Sequence, residues 1–226
     1  MLIRDWMTKK VYSITPNTSM MKASKLLKEH DISRLPVVDD QNRVVGIVSD
    51  RDIKEASPSK ATTLDVHELY YLLSEIKVKD IMTVDPYCAR PLDTVESAAV
   101  TMIGKKIGGM PVVDDDGVLQ GIITDSDIFE VLITITGVRH GGVQFAFELP
   151  NTPGTLKPIV DALRDYDASI VSILTSMEHL EGCPDCRLVN IRIMPMDRAV
   201  ENKIIDDLKE RFVMRFWARD HVHTVN

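Results

Sequence analysis

An α/β duplication followed by an α+β unit is the fold class this sequence predicts, and three observations carry it. The string GIVSDRDI at residues 46–53 returns as GIITDSDI at residues 121–128, an offset of 75. Within each copy, apolar runs of strand length alternate with segments of helical spacing. From Val143 to Leu149 large apolar residues take every second position, the mark of a half-buried strand.

The duplication extends well beyond one string. Asp5, Met7 and Thr8 face Asp80, Met82 and Thr83; Tyr12 and Pro16 face Tyr87 and Pro91; LPVVDD from Leu35 faces MPVVDD from Met110. The register holds over about fifty positions, so one structural unit is used twice. Each copy opens with a helix. In the second, Val95, Ala98, Ala99, Met102 and Ile103 fall on one helical face, and Asp93, three residues before Glu96, is placed to cap it. Two β-branched runs follow, LPVV and VVGIVS in the first copy, MPVV and LQGIIT in the second. The acidic segments DDQNR and DDDGV between them imply paired strands. Asp39-Asp40 and Asp114-Asp115 at these turns are read as turn formers rather than metal ligands. A further helix starts at SDRDI or TDSDI, and in the second copy Ile128, Val131, Leu132 and Ile135 carry it to Gly137. Each copy is too thin to bury both faces alone, so the two are expected to pack on each other. Between them SPSKATT is a loop, and LDVHELYYLLSEI is a helix with Val66, Leu69, Tyr70 and Leu73 on one face.

In the last third, Val143, Phe145, Phe147 and Leu149 alternate with Gln144, Ala146 and Glu148. PNTPGTL turns the chain into a helix with Leu156, Ile159, Val160 and Leu163 on one face, with Thr152 as the expected N-cap and Pro153 at the first position. SIVSILT, the CPDC loop, RLVNIRIM, a helix bearing Val200, Ile204, Ile205 and Leu208, and FVMRFWA complete the order β-α-β-β-α-β, the ferredoxin-like arrangement. The expected divisions are residues 1–60, 61–137 and 141–226.

Bulk properties narrow the function classes. A net charge of −7 repels phosphate backbones and no basic stripe offsets it, so no nucleic-acid partner is expected. No apolar stretch approaches the roughly 18 to 20 residues of a membrane span. The opening MLIRDWMTKK lacks an apolar leader core, so a cytoplasmic protein with no membrane partner is expected. Three cysteines, Cys88, Cys183 and Cys186, are too few for a disulfide framework, in keeping with a reducing compartment. CPDC has three readings: a tight turn between strands, a redox dithiol, or half of a zinc site formed by Cys183 and Cys186, with His179 as a third ligand. The turn is preferred, and no metal is expected. None of the six histidines has a companion nucleophile or orienting acid, so no enzyme is expected.

SDRD and TDSD both fit the helix-start box in which a hydroxyl accepts a backbone N–H and the later acid completes the first turn. A helix start also offers free N–H groups and positive dipole to a phosphate, and a carboxylate in the same turn can accept both hydrogens of a ribose diol. In sequence order, Asp-x-Met-Thr, I-T-P, LPVVDD and GIVSDRDI, present in both copies over residues 1 to about 136, resemble the cystathionine-β-synthase (CBS) domain pair, or Bateman module. The resemblance implies binding of AMP, ADP, ATP or another adenosyl compound in clefts between the copies. It assigns Ser49 with Asp52 and Thr124 with Asp127 to ribose, and Ile14 with Thr15 to the flank of the base. Arg34 and Arg51 in the first copy face Gly109 and Ser126 in the second, so the first cleft is expected to be the better phosphate host.

A strand followed by N-T-P-G-T-L in a β-α-β-β-α-β order resembles the ACT domain, over about residues 141–220. The resemblance places Asn151, Gly154, Thr155 and Leu156 at an amino-acid site, with helix-start N–H groups for its carboxylate. The competing reading is a plain helix cap in a unit that only dimerises. A CBS pair followed by an ACT domain is similar to the acetoin-utilisation protein B family. Three functions follow: a sensor of adenine nucleotides, and of an amino acid in its last third, acting on an unidentified regulated protein; a ligand-free oligomerisation scaffold; or a thiol or metal sensor built on CPDC. A dimer at least is expected, with no cofactor.

Overall fold

The computed structural model of the chain describes residues 1–57, 75–177, 183, 185–219 and 222–224. Residues 1–129 and 130–226 form two compact units. The expected helix bearing Val66, Leu69, Tyr70 and Leu73 lies outside the described residues, as does His179.

In the first unit a short helix, α1 (Ile3–Trp6), precedes α2 (Met20–Glu29), whose N-cap Ser19 accepts the Lys22 N–H through its side chain. The antiparallel strands β1 (Arg34–Val38) and β2 (Val44–Ser49) follow, then α3 (Asp50–Ala56). The second copy supplies β3 (Thr83–Val84), α4 (Val95–Lys105), β4 (Gly109–Val113), β5 (Leu119–Thr124) and the start of α5 (Asp125–Thr136), whose residues from Glu130 onward belong to the second unit. The hairpins match in register and irregularity. Leu35 opposes Val48 and Met110 opposes Ile123, with bulges between Val37 and Val38 and between Val112 and Val113. Asp39 Oδ1 accepts the Gln41 and Arg43 N–H groups, and Asp114 Oδ1 those of Asp116 and Val118, so these acids close the hairpin turns. The cap of α4 is a correction: Thr94 accepts the Ser97 N–H, while Asp93 accepts the Arg90 N–H in the preceding turn.

The copies are joined by exchange of their opening segments. Thr8 bridges Ile122 with reciprocal backbone hydrogen bonds of 3.0 Å, and β3 pairs with β2, Thr83 opposite Ile47. The Met-Thr of each copy thus extends the hairpin of the other. Gly46 and Gly121 make this approach possible, since a Cβ on Gly46 would lie 2.5 Å from Met82 Sδ and one on Gly121 2.5 Å from Met7 Sδ. The hairpin tips also meet, Val44 N–H donating to Gly117 O and Leu119 N–H to Asn42 O, each at 3.0 Å. Val78, from the second copy, is buried in the core of the first beside Met20, Leu35, Val37, Val48 and Ile53.

The second unit contains β6 (Gln144–Pro150), α6 (Lys157–Arg164), β7 (Ile170–Ser176), β8 (Cys186–Ile193), α7 (Arg198–Arg211), β9 (Met214–Ala218) and β10 (Val222–Thr224). They build one antiparallel sheet in the order β10-β9-β6-β8-β7. Phe145, Phe147, Leu149, Val189 and Ile191 share a core with Ile159 and Leu163 of α6 and Ile204 and Leu208 of α7. Arg192 is buried and donates to Thr136 O at 3.0 Å, Gly141 O at 3.3 Å and Gln144 Oε1 at 2.8 Å. Burial lowers its pKa, and these three acceptors offset the cost of desolvating the charge. Gly142, at φ +76°, must be glycine, since a Cβ there would sit 2.0 Å from Ile193 O.

α6 starts later than the sequence suggests. Gly154 adopts φ +87°, the Thr155 hydroxyl donates to Pro150 O or Thr152 O, and the helix begins at Lys157 without a side-chain cap. Thr152 and Pro153 are therefore turn residues. Among the described residues no helix is long and apolar enough to cross a membrane.

The exchange of segments is tested by a double-mutant cycle. Gly121→Ala should cost about 1–3 kcal/mol by overpacking against Met7. Met7→Ala removes that clash, so the two losses measured in urea should couple by at least about 0.5 kcal/mol instead of adding.

Candidate functional site

Two clefts lie between the copies in the first unit. The first encloses about 360 Å³, with Ser49, Arg51 and Asp52 on one side and Thr83, Lys106 and Gly108-Gly109 on the other. The second encloses about 320 Å³, with Thr124, Ser126 and Asp127 facing Thr8, Lys10–Tyr12 and Asp31–Arg34. Each cleft thus takes a helix start from one copy and a helix-to-strand connection from the other.

Both helix starts are capped in the same way. Asp52 Oδ2 accepts the Ser49 N–H and hydroxyl, each at 2.7 Å, and Asp127 Oδ2 accepts the Thr124 N–H and hydroxyl at 2.7 and 2.8 Å. The cap consumes one carboxylate oxygen and makes no use of Oδ1. In the first cleft the Lys54 ammonium hydrogen-bonded to Asp50 holds its carboxyl below the ordinary aspartate value, with Arg34 adding a smaller pull.

Arg34 lines both clefts, with its side chain 16% exposed and Nη1 4.0 Å from Asp125 Oδ1. It lies across Gly108 and Gly109: a Cβ on Gly108 would come within 2.4 Å of Nη2, and one on Gly109 within 2.9 Å of Nη1. Gly109 is the counterpart of Arg34 in the duplication, and by sequence alone it marks a missing cation of the second cleft. In the structure it is the space that a single shared arginine requires. The clefts still differ, since Arg51 and Lys106 in the first stand where the second has Ser126 and Asp31.

The CBS domain profile matches residues 3–59 and 78–134. This chain belongs to the CBS-domain family. A CBS domain-containing protein of Dictyostelium discoideum is 34% identical over 134 residues, 59% of this chain and 92% of that protein. CBSX2, a CBS-pair protein of Arabidopsis thaliana, is similar in structure at 32% identity, covering 60% of this chain and 96% of that one with a TM-score of 0.53. The crystal structure of CBSX2 in complex with AMP is 35% identical, covering 60% and 98%, with a TM-score of 0.50. A Vibrio cholerae protein assigned to acetoin utilization is 29% identical, covering 62% and 95%, with a TM-score of 0.51.

Within the CBS pair, then, Arg34, Ser49, Arg51 and Asp52 come together in the first cleft, and Thr124 and Asp127, with Arg34, in the second. Ile14 and Thr15 line neither. Ile14 is buried in the core and bridges Val37, and the Thr15 hydroxyl bonds that of Thr18. Residues upstream of them, Lys10, Val11 and Tyr12, line the second cleft instead. Lys106 and Lys10 were not singled out in the sequence, and their lysine chemistry alone does not distinguish them from surface residues.

In the second unit Asn151, Gly154, Thr155 and Leu156 occupy the β6–α6 connection, with Leu156 packed on the core. Lys157 N–H is used by Gly154 O, and Pro158 has no N–H, so the helix start offers fewer donors than its sequence suggested. Arg187, opposite Leu149 on β8, places Nη2 3.2 Å from Thr155 Oγ1, while its Nε is buried with no hydrogen-bond partner among the described residues. Cys183 and Cys186 are joined as a disulfide across a turn closed by the Cys186 N–H to Cys183 O bond. Cys88 is free and exposed.

The caps set a stability background for any binding measurement. Ser49→Ala and Thr124→Ala should each lower the unfolding free energy of the CBS pair by about 1 kcal/mol in urea denaturation, with or without ligand chemistry.

Proposed function

We propose that the CBS pair is a regulatory sensor that binds AMP, ADP, ATP or another adenosyl compound and passes its occupancy to a regulated protein. One observation carries this reading: each cleft combines a helix-start carboxylate with cations, Asp52 with Arg34 and Arg51 in the first, Asp127 with Arg34 and Lys10 in the second. The carboxylate suits a ribose diol and the guanidinium a phosphate. The AMP complex of CBSX2 supports the ligand class. Val11 and Tyr12 take the base-flanking place that the family resemblance gave to Ile14 and Thr15.

For residues 141–226 the proposed reading is an ACT-like unit that takes an amino acid at Asn151, Gly154, Thr155 and Leu156. Its support is the β-α-β-β-α-β order and the Arg187 guanidinium beside Thr155. Self-association into at least a dimer, a cytoplasmic setting and a link to acetoin utilisation complete the proposal, the last supported by likeness to the Vibrio cholerae protein.

Thermal-shift titration with AMP, ADP, ATP and S-adenosylmethionine tests the sensor. A ligand at a hundredfold excess over Kd adds about 2.7 kcal/mol to stability. We expect at least one of the four to raise Tm at millimolar concentration, with Asp52→Ala weakening binding more than Asp127→Ala, and Arg34→Ala weakening binding in both clefts. No shift with any of them would overturn the sensor in favour of the ligand-free scaffold. Sedimentation at micromolar concentration should give a dimer or larger species, and a monomer there would remove the self-association reading.

A further inference from the structure

The sheet of the second unit brings together three donors to which the proposed function gives no role. Cys183 Sγ, Cys186 Sγ and a carboxylate oxygen of Glu148 all lie within 4.8 Å of one another, each residue partly buried. The register explains the arrangement. Pro150 of β6 opposes Cys186 of β8, and Glu148 opposes Leu188, so Glu148 and Cys186 are diagonal neighbours on one face of the sheet. The turn between Cys183 and Cys186 returns the first sulfur to the second. Glu148 is kept near by Arg215, whose Nη1 lies 3.1 Å from Oε2, and this half-exposed ion pair is weak enough to yield to a divalent cation.

We propose that Cys183, Cys186 and Glu148 form a site for a borderline-soft divalent metal of the zinc class, closed in the disulfide form and opened by two-electron reduction. Two thiolates at C-x-x-C spacing with one carboxylate are a zinc-type donor set, and three protein ligands leave a fourth position for water or an exogenous donor. In the disulfide the sulfurs carry no thiolate charge and the metal is excluded. A small-molecule thiol supplies the reducing electrons. Its thiolate attacks one sulfur of the pair, the bond between Cys183 and Cys186 breaks, and a second thiol resolves the mixed disulfide. Two protein thiols and one small-molecule disulfide result. The metal then displaces both thiol protons to solvent. The site adjoins the proposed amino-acid loop, because the Asn151 N–H donates to Asp185 O within the C-x-x-C turn. Its metal chemistry does not depend on whether that loop binds anything.

The test uses the full chain carrying Cys88→Ser, so that the only thiols are the pair. Equilibrium dialysis against Zn²⁺ alone, and titration with Co²⁺ as a spectroscopic substitute, are run on the oxidised protein and after reduction with a phosphine. One ion per reduced chain, a thiolate-to-cobalt charge-transfer band, and no binding by the oxidised chain are expected. Cys186→Ser should abolish the band. Glu148→Gln should weaken affinity by at least the roughly tenfold that loss of even an outer-shell partner costs. The comparison of oxidised with reduced protein needs no pair or Glu148 variant, so misfolding of Cys186→Ser does not blunt the test. Failure of the reduced chain to bind either metal, a cobalt spectrum without thiolate character, or unaltered affinity in Glu148→Gln would each overturn the site.

Discussion

The exchange of opening segments is the constraint on which the first unit depends. A hairpin with one helix on each side cannot close its own core, and here the missing strand arrives from the other copy: Thr8 onto Ile122, Thr83 onto Ile47. Met7 and Met82 then fill the space over Gly121 and Gly46. The core of the first copy is completed by Val78 from the second, so burial in one copy depends on the other. The clefts are a by-product of this geometry, since a helix start of one copy is brought against the connection preceding a strand of the other.

On the proposed function, the same carboxylate serves two ends at each cleft. Asp52 and Asp127 satisfy the first turn of their helices with Oδ2, and this fixes the side-chain rotamer. A carboxylate held by a cap is already ordered, so a ligand meeting it does not have to freeze it. The structural reading of S/T-x-x-D and the functional one are therefore not rivals. The cap supplies the preorganisation on which the proposed binding draws.

What was legible in the sequence follows from how local each feature is. The duplication, the hairpins and the acidic turns rest on short-range patterns, and Asp39 and Asp114 do what their positions suggest. Two boundaries were misplaced where adjacent residues offer equivalent chemistry: Asp93 and Thr94 are both good caps, and T-P-G can start a helix or, with glycine at positive φ, a turn. The exchanged pairing was hidden because no local signal names a partner strand so distant in the chain. Glu148 and Arg187 were hidden for the same reason. Their neighbours are set by the register of β6 against β8, and a shift of one residue would turn each to the opposite face.

Arg34 shows why a duplicated sequence cannot be read as two independent sites. Near the axis relating the copies there is room for one guanidinium, and Gly108 and Gly109 supply it. The apparent deficit of the second copy is thus a packing requirement imposed by the first. On the proposed function the consequence is energetic. A guanidinium committed to a phosphate in one cleft is less available to the other, so the affinities of the two clefts are linked through one side chain and the linkage is reciprocal. Arg51 and Lys106 give the first cleft cations of its own, and it therefore depends least on the shared one.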